Sequence, residues 1–249
     1  METSIKPWEI VSETLKTVAA AVRPGVSTLE LDAIAEKKIL ELGGTPYNKG
    51  YKPDWAETPF PGTLCTSVND TIVHGIPSDY ILNDGDIICL DVGVKKDGLC
   101  GDAALTVPVG EFSSRDERLL RYAKNTLYVG IDEIKAGIKI KQISAAMEKY
   151  AKQMGFLPNL AFCGHSIGTE MHEEPLVPNY EIPGLGEDTL VAGQMICLEP
   201  MLSYKDNLGV IQEDGWTVKT KDGRKSAMFE HQILVKEDGY EILTTHITR

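Results

Sequence analysis

Apolar residues recur at three- and four-residue steps through residues 7–22, at Trp8, Val11, Leu15, Val18 and Val22. That period predicts an amphipathic helix, which Pro24-Gly25 stops. Ser27-Thr-Leu-Glu30 has the form of a capping box and opens a second helix. This one runs to Gly43-Gly44, a C-terminal stop. Residues 116–136 and 139–154 predict another helix pair, broken at Gly137 and ended at Gly155. Between and after the pairs lie short apolar runs closed by an acid, Gly85–Asp91 and Gly193–Glu199, which read as buried strands.

The pattern occurs twice. At an offset of 112, Thr14, Leu15, Gly25, Ala33, Glu36, Lys37 and Gly43 recur as Thr126, Leu127, Gly137, Ala145, Glu148, Lys149 and Gly155. Those are 7 identities over the 30 positions from 14 to 43, where residue frequencies alone would give roughly two. At an offset of 108, Gly85-Asp-Ile-Ile-Cys-Leu-Asp91 matches Gly193-Gln-Met-Ile-Cys-Leu-Glu199. Two independent segments at nearly one offset indicate an internal duplication. The expected fold is α/β (α+β), a central antiparallel sheet covered by helices, its halves related by a pseudo-twofold. The chain reads as one catalytic unit over residues 1–249, with pseudo-repeats at about 7–110 and 116–235. Tyr51–Gly62 and Pro175–Gly186 read as surface loops at corresponding places, flanking a shared cleft.

Composition narrows the class. The 249 residues are 42% hydrophobic and 25% charged, a globular balance. Lys+Arg total 25 against 37 Asp+Glu, a formal net charge of -12. Such a chain is a poor general binder of nucleic acid or anionic lipid. No apolar run is long enough to span a membrane, and Met1–Ile10 has no signal-peptide form. Five scattered cysteines without a C-x-x-C suit a reducing cytoplasm, where they act mostly as small core residues.

The acids carry the chemistry. Lys95–Gly98 is a turn between two strands. With its centre between Lys96 and Asp97, Asp91 faces Asp102 directly; with Asp97-Gly98 as a two-residue turn, the two are diagonal on one face. Either register aims two carboxylates at one spot, where a divalent cation would remove the cost of burying them. Glu199 takes the place of Asp91 in the second half, and Glu230 lies in a final strand as Asp102 does in the first. A pseudo-twofold therefore gathers four carboxylates. With imidazole added they suit two divalent ions of the Mn, Fe, Co or Zn kind. His165 and His172 share a glycine-bearing loop, and His74 ends a strand beside Gly75. His231 follows Glu230 and must face the other way, a structural position. His246 is given no role.

Ser67-Val-Asn69, Val73-His-Gly-Ile-Pro77, Asp91-Val-Gly93, Gly101-Asp102, Gly164-His-Ser-Ile-Gly168, His172-Glu-Glu-Pro175, Leu198-Glu-Pro200, Glu213-Asp-Gly-Trp-Thr217 and Phe229-Glu-His231 appear in this order along nearly the whole chain. Together they resemble the type I methionine aminopeptidases, enzymes of the duplicated pita-bread fold. The resemblance implies removal of the initiator methionine from nascent chains, with a small second residue preferred. It implies Asp91, Asp102, His165, Glu199 and Glu230 as ligands of two divalent ions (Co, Mn, Fe, Zn or Ni), with Asp102 and Glu230 bridging. Glu199 would also take the proton of the attacking water. His172 would stabilise the tetrahedral intermediate, and His74 would serve the leaving amine. Phe60, Cys65 and Trp216 match pocket positions. Met171 and Glu57 stand where relatives often carry aromatics, Val73 where cysteine is frequent, and Cys100 where histidine is common. The carbonyls of Asn69, Thr71 and Ser226 match a monovalent-cation site of some members.

The short chain has no room for the inserted domain of type II members and fits the bacterial-type form, acting as a monomer. Lys219, Lys221, Arg224 and Lys225 read as a solvated hairpin loop in preference to a ribosome contact. Two alternatives remain: an X-Pro aminopeptidase or dipeptidase of the same fold, and a non-catalytic binding module. The first usually carries a long N-terminal domain; the second loses ligands that this chain keeps.

Overall fold

Ser27 opens its helix as the capping box requires. Its hydroxyl accepts the Glu30 N–H, and the Glu30 carboxylate accepts the Ser27 N–H at 2.7 Å. A computed structural model describes residues 5–246. Met1–Ser4, the first part of the Met1–Ile10 segment read for a signal peptide, and residues 247–249 lie outside the described residues. The helices are α1 (Pro7–Ala21), α2 (Thr28–Glu41), α3 (Ser114–Ile131) and α4 (Ile140–Gln153). The strands of the first half are β1 (Thr45–Pro46), β2 (Cys65–Val68), β3 (Thr71–Val73), β4 (Ile87–Lys96) and β5 (Leu99–Pro108). The second half adds β6 (Leu157–Pro158), β7 (Gly164–Ser166), β8 (Glu173–Val177), β9 (Met195–Leu198), β10 (Met201–Ser203), β11 (Val210–Ile211), β12 (Val218–Lys219), β13 (Ala227–Met228), β14 (His231–Lys236) and β15 (Gly239–Ile242).

The helix pairs stand where the periodicity puts them, with one boundary moved. α3 stops at Ile131 instead of residue 136, because Glu133 N–H and Ile134 N–H turn back onto the carbonyls of Gly130 and Ile131. The sheet is also divided. β5, β4 and β2 pair in one antiparallel sheet, and β15-β14-β9-β7-β8 form another; the short strands make two further three-stranded sheets. The correspondence of halves is visible in the pairing. β4 does not end at Asp91 but continues to Lys96; it lies between β5 and β2, just as β9, leading to Glu199, lies between β14 and β7.

The core fills the space between helices and sheets. Ile10, Val11, Leu15 and Val18 of α1 are fully buried, and α1 packs on β4 and β5. Leu119, Ala123 and Leu127 of α3 repeat this arrangement, with α3 against β9, β10 and β13. Burial of a side chain of this size contributes about 1.5–3 kcal/mol each. The two halves join where Glu230 N–H donates to the Ala104 carbonyl at 2.9 Å and Leu105 bridges Phe229. That seam lies at the acids. Among the described residues no helix is long and apolar enough to cross a membrane.

Candidate metal centre

Asp97 and Gly98 both have positive φ, 50° and 77°, the form of a two-residue I′ turn. The turn sets the register of β4 on β5: Gly93 pairs with Asp102, and Asp91 with Ala104. Of the two registers open to the sequence, the diagonal one is realised, with both carboxylates on one face. In the other half, Cys197 of β9 pairs with His165 of β7, and His231 of β14 pairs with Leu198. One step further along stand Glu199 and Glu230. Glu230 thus sits at the step between β13 and β14, not within a final strand, and β15 follows. His165 is likewise in a strand, not a loop. Gly164 beside it is obligatory, since a Cβ there would meet the Cys197 carbonyl oxygen at 2.2 Å. Pro175 also belongs to a strand, β8, and the loop begins after Val177.

His165 Nε2 lies 3.8 Å from Asp102 Oδ2 and 3.7 Å from Glu199 Oε1. Its Nδ1 is 3.0 Å from the Ser166 carbonyl. Donation to that carbonyl leaves the Nε2 lone pair facing the carboxylates, the tautomer a metal ligand needs. Ligand atoms of Asp102, His165, Cys197 and Glu230 all lie within 4.8 Å of one another. Gln232 ties the halves together here, its Oε1 accepting the Asp102 N–H at 3.3 Å.

The electrostatics call for a cation. Burial raises Asp91 from 3.8 to about 7. Burial, then the neighbouring carboxylates, hold Asp102, Glu199 and Glu230 well above the usual range. Burial lowers His165 to about 3, so its ring is neutral and offers no compensating charge. Glu230 Oε1 is enclosed without a hydrogen-bond partner. Buried acids that repel one another, one with an orphaned oxygen, beside an imidazole of ligand tautomer, fit divalent metal.

A cavity of about 390 Å³ opens over this cluster. Phe60, Cys65, Met171 and Trp216 line it, with His74 and His172 at the same opening. His172 is exposed in the turn before β8, its ring 4.5 Å from that of His165. His74 has φ 58° directly after β3. Gly75 lets this segment reach β2, since a Cβ would lie 2.4 Å from the Thr66 carbonyl oxygen. Burial lowers His74 to about 4 and lowers His172 as well, so both are neutral at pH 7.

The periodicity gave no sign of Tyr51 and Trp55, which belong to the loop at Tyr51–Gly62. Tyr51 Oη reaches His172 Nδ1, and the Trp55 indole stacks on His74 at 6.0 Å. The aromatic content of that loop was the available signal. Cys197, expected as a core residue, joins the ligand cluster. His231 is structural as expected, held by the Tyr128 and Thr244 hydroxyls. His246, given no role, packs on His231 at 4.9 Å and lies 3.2 Å from the Ala104 carbonyl. The basic cluster is not wholly solvated: Lys225 bonds Asp116 and the Gly85 carbonyl, and Lys219 pairs with Asp70 at 3.2 Å. Asn69 and Ser226 meet, the Ser226 N–H donating to the Asn69 carbonyl at 2.9 Å, while Thr71 opens β3 alongside.

Residues 6–237 match metallopeptidase family M24. The chain belongs to that family. Methionine aminopeptidase 1 of Bacillus subtilis is 40% identical over 235 residues, covering 94% of this chain and 92% of the relative. The crystal structure of methionine aminopeptidase from Rickettsia prowazekii superposes with a TM-score of 0.90 at 34% identity, covering 96% of this chain and 94% of that one. The Xaa-Pro dipeptidase of Bacillus anthracis shares the fold, with a TM-score of 0.76 at 21% identity; this chain, covered in full, spans only 62% of it. The M24 chain therefore has the pita-bread fold and the hydrolase character of its family.

Proposed function

We propose that this metallopeptidase removes the N-terminal methionine from nascent chains whose second residue is small. One observation carries the reading: the acid–imidazole cluster forms the floor of a cavity walled by Phe60, Cys65, Met171 and Trp216. That wall suits an unbranched thioether side chain, and the cluster below suits a free amine and a scissile carbonyl.

Asp91, Asp102, His165, Glu199 and Glu230 would hold two divalent ions, of which Co, Mn, Fe, Zn and Ni suit this donor set. Bound there, such ions supply Lewis acidity and make water a competent nucleophile at neutral pH. Glu199, partly open to the cavity, would take the proton of the attacking water. His172 offers a neutral N–H to the carbonyl oxygen as charge develops on it. His74, also neutral, holds a proton beside the leaving nitrogen. The Met side chain in its pocket fixes the register of cleavage after the first residue. The carbonyls of Asn69, Thr71 and Ser226 form the proposed monovalent-cation position, away from the reacting atoms.

The proposed place of work is the cytoplasm, where the protein acts as a monomer on emerging N termini; the cysteines, all free, suit a reducing compartment. A ribosome contact draws little support from a basic cluster whose Lys219 and Lys225 are engaged internally.

The test is hydrolysis of Met-Ala-Ser, Met-Lys-Ser and Ala-Pro-Ser at equal concentration by metal-reconstituted protein. Cleavage of Met-Ala-Ser well above the other two is expected. Preference for Ala-Pro-Ser would make the protein an X-Pro peptidase, and equal cleavage of both Met peptides would refute selection at the second residue.

A further inference from the structure

Cys197 is the member of the cluster with no part in the proposed hydrolysis. It stands on β9 two residues before Glu199, so both side chains leave one face of the strand. Its register partner is His165, whose side chain leaves that same face. The Cys197 Sγ and the ligand atoms of Asp102, His165 and Glu230 lie within 4.8 Å of one another, and all four residues are buried. Glu230 Oε1, enclosed and unpartnered, belongs to this group. In a tetrahedron with bonds of about 2.0–2.3 Å, neighbouring donors are about 3.3–3.8 Å apart. A contraction of about 1 Å closes the cluster on an ion. The first half offers a contrast. Cys89 stands two residues before Asp91, yet its Sγ turns to the Met228 carbonyl at 3.9 Å.

We propose that Cys197 makes this a mixed sulfur, nitrogen and oxygen centre, where a thiophilic divalent ion such as zinc is held by Cys197 Sγ together with Asp102, His165 and Glu230. The proposal presupposes the metal-binding reading above and adds a ligand to it. On binding, the S–H bond breaks, sulfur gives an electron pair to the ion, and the proton leaves to solvent. A divalent ion offsets the negative field of the carboxylates around the sulfur and favours its thiolate. The consequence is selectivity: carboxylates and imidazole alone accept manganese readily, whereas a thiolate shifts preference toward softer ions.

The experiment titrates the metal-stripped full chain with Co(II) and follows its absorption. Bound cobalt should give visible d–d bands and a near-ultraviolet sulfur-to-cobalt charge-transfer band. Cys197→Ser should keep the first and lose the second, while Cys89→Ser keeps both. Zinc affinity of Cys197→Ser should fall at least about tenfold, with manganese affinity little changed. Bound cobalt without the charge-transfer band, or a band that survives in Cys197→Ser, overturns the proposal. If that cobalt protein still cleaves Met-Ala-Ser, the hydrolase reading stands. Absence of any bound cobalt overturns both. Should Cys197→Ser not fold, the cadmium-113 resonance of the unaltered protein decides. A shift in the sulfur-ligated range supports the proposal; one in the oxygen and nitrogen range overturns it.

Discussion

Tyr51 Oη lies 3.3 Å from His172 Nδ1, joining residues 121 positions apart in sequence. Burial raises the phenol above its ordinary pKa, so it is a proton donor at every working pH. Where the phenol donates to Nδ1, the proton of neutral His172 sits on Nε2. The loop thereby sets which nitrogen His172 presents to a substrate carbonyl.

Replacing these two residues should separate chemistry from orientation. His172→Ala is expected to lower kcat by roughly 10²- to 10⁴-fold, the scale of a lost acid–base or oxyanion partner. Tyr51→Phe keeps the ring and loses one hydrogen bond, so the fall should be only about tenfold or less. Single-turnover rates on Met-Ala-Ser give both numbers. Metal analysis of the same samples should show no change; metal loss in His172→Ala would make that histidine a ligand.

Chelation should abolish activity and lower the melting temperature together. Mn(II), Fe(II) or Co(II) should restore both. At a free-metal concentration 100 times Kd, each site adds about 2.7 kcal/mol. Differential scanning calorimetry beside the peptide assay tests this, and full turnover by exhaustively stripped protein would refute the mechanism.

Asp91 should make the metal-free protein sensitive to pH. Its folded pKa of about 7 stands above the ordinary 3.8. Between those values the folded state holds a proton that the unfolded chain has lost. Its contribution to stability is therefore present at low pH and lost as pH rises through that window. Asp91→Asn removes the titration. Urea unfolding in chelator should find the variant gaining on the unaltered protein as pH rises from about 4 to about 7. Adding metal at pH 8 should reverse the order. A gap independent of pH would show that Asp91 carries no such cost.

Trp55 is half exposed at the rim of the cavity. Its indole stacks on His74 and meets Trp216 edge-on at 4.9 Å. Trp55→Ala should raise KM for Met-Ala-Ser roughly 2- to 10-fold, from loss of an aromatic contact of about 0.5–1.5 kcal/mol. It should also narrow the difference between Met-Ala-Ser and Met-Lys-Ser, because the opening widens. Steady-state kinetics on both peptides measure this. Unchanged KM and unchanged discrimination would place the indole outside the substrate path.

The sequence by itself determined the parts that rest on local periodicity. Helix starts are legible because Ser27 and Glu30 satisfy each other within one turn. That Asp91 and Asp102 share one face of a hairpin is legible because the turn at Lys95–Gly98 spans only a few residues. The opposite facing of Glu230 and His231 follows from the two-residue period of a strand. The repeat made the second half readable from the first, including Glu199 as the counterpart of Asp91. Tertiary structure decided what depends on contacts between distant segments. The hairpin register was open between two solutions until both φ angles of the turn were known. His165 reads as a loop residue until β7 pairs with β9, where Gly164 is the only residue that fits against the Cys197 carbonyl. Trp55 and Tyr51 meet His74 and His172 only because the loop folds across the cleft. Cys197 looks like any buried strand cysteine, and only the pairing of β14 with β9 and the packing of β14 on β5 bring Glu230 and Asp102 to its sulfur. Local hydrogen bonds and side-chain alternation act over a few residues and leave a mark in the sequence. The meeting of the two halves is set by packing of the whole core, and no short stretch of sequence records it.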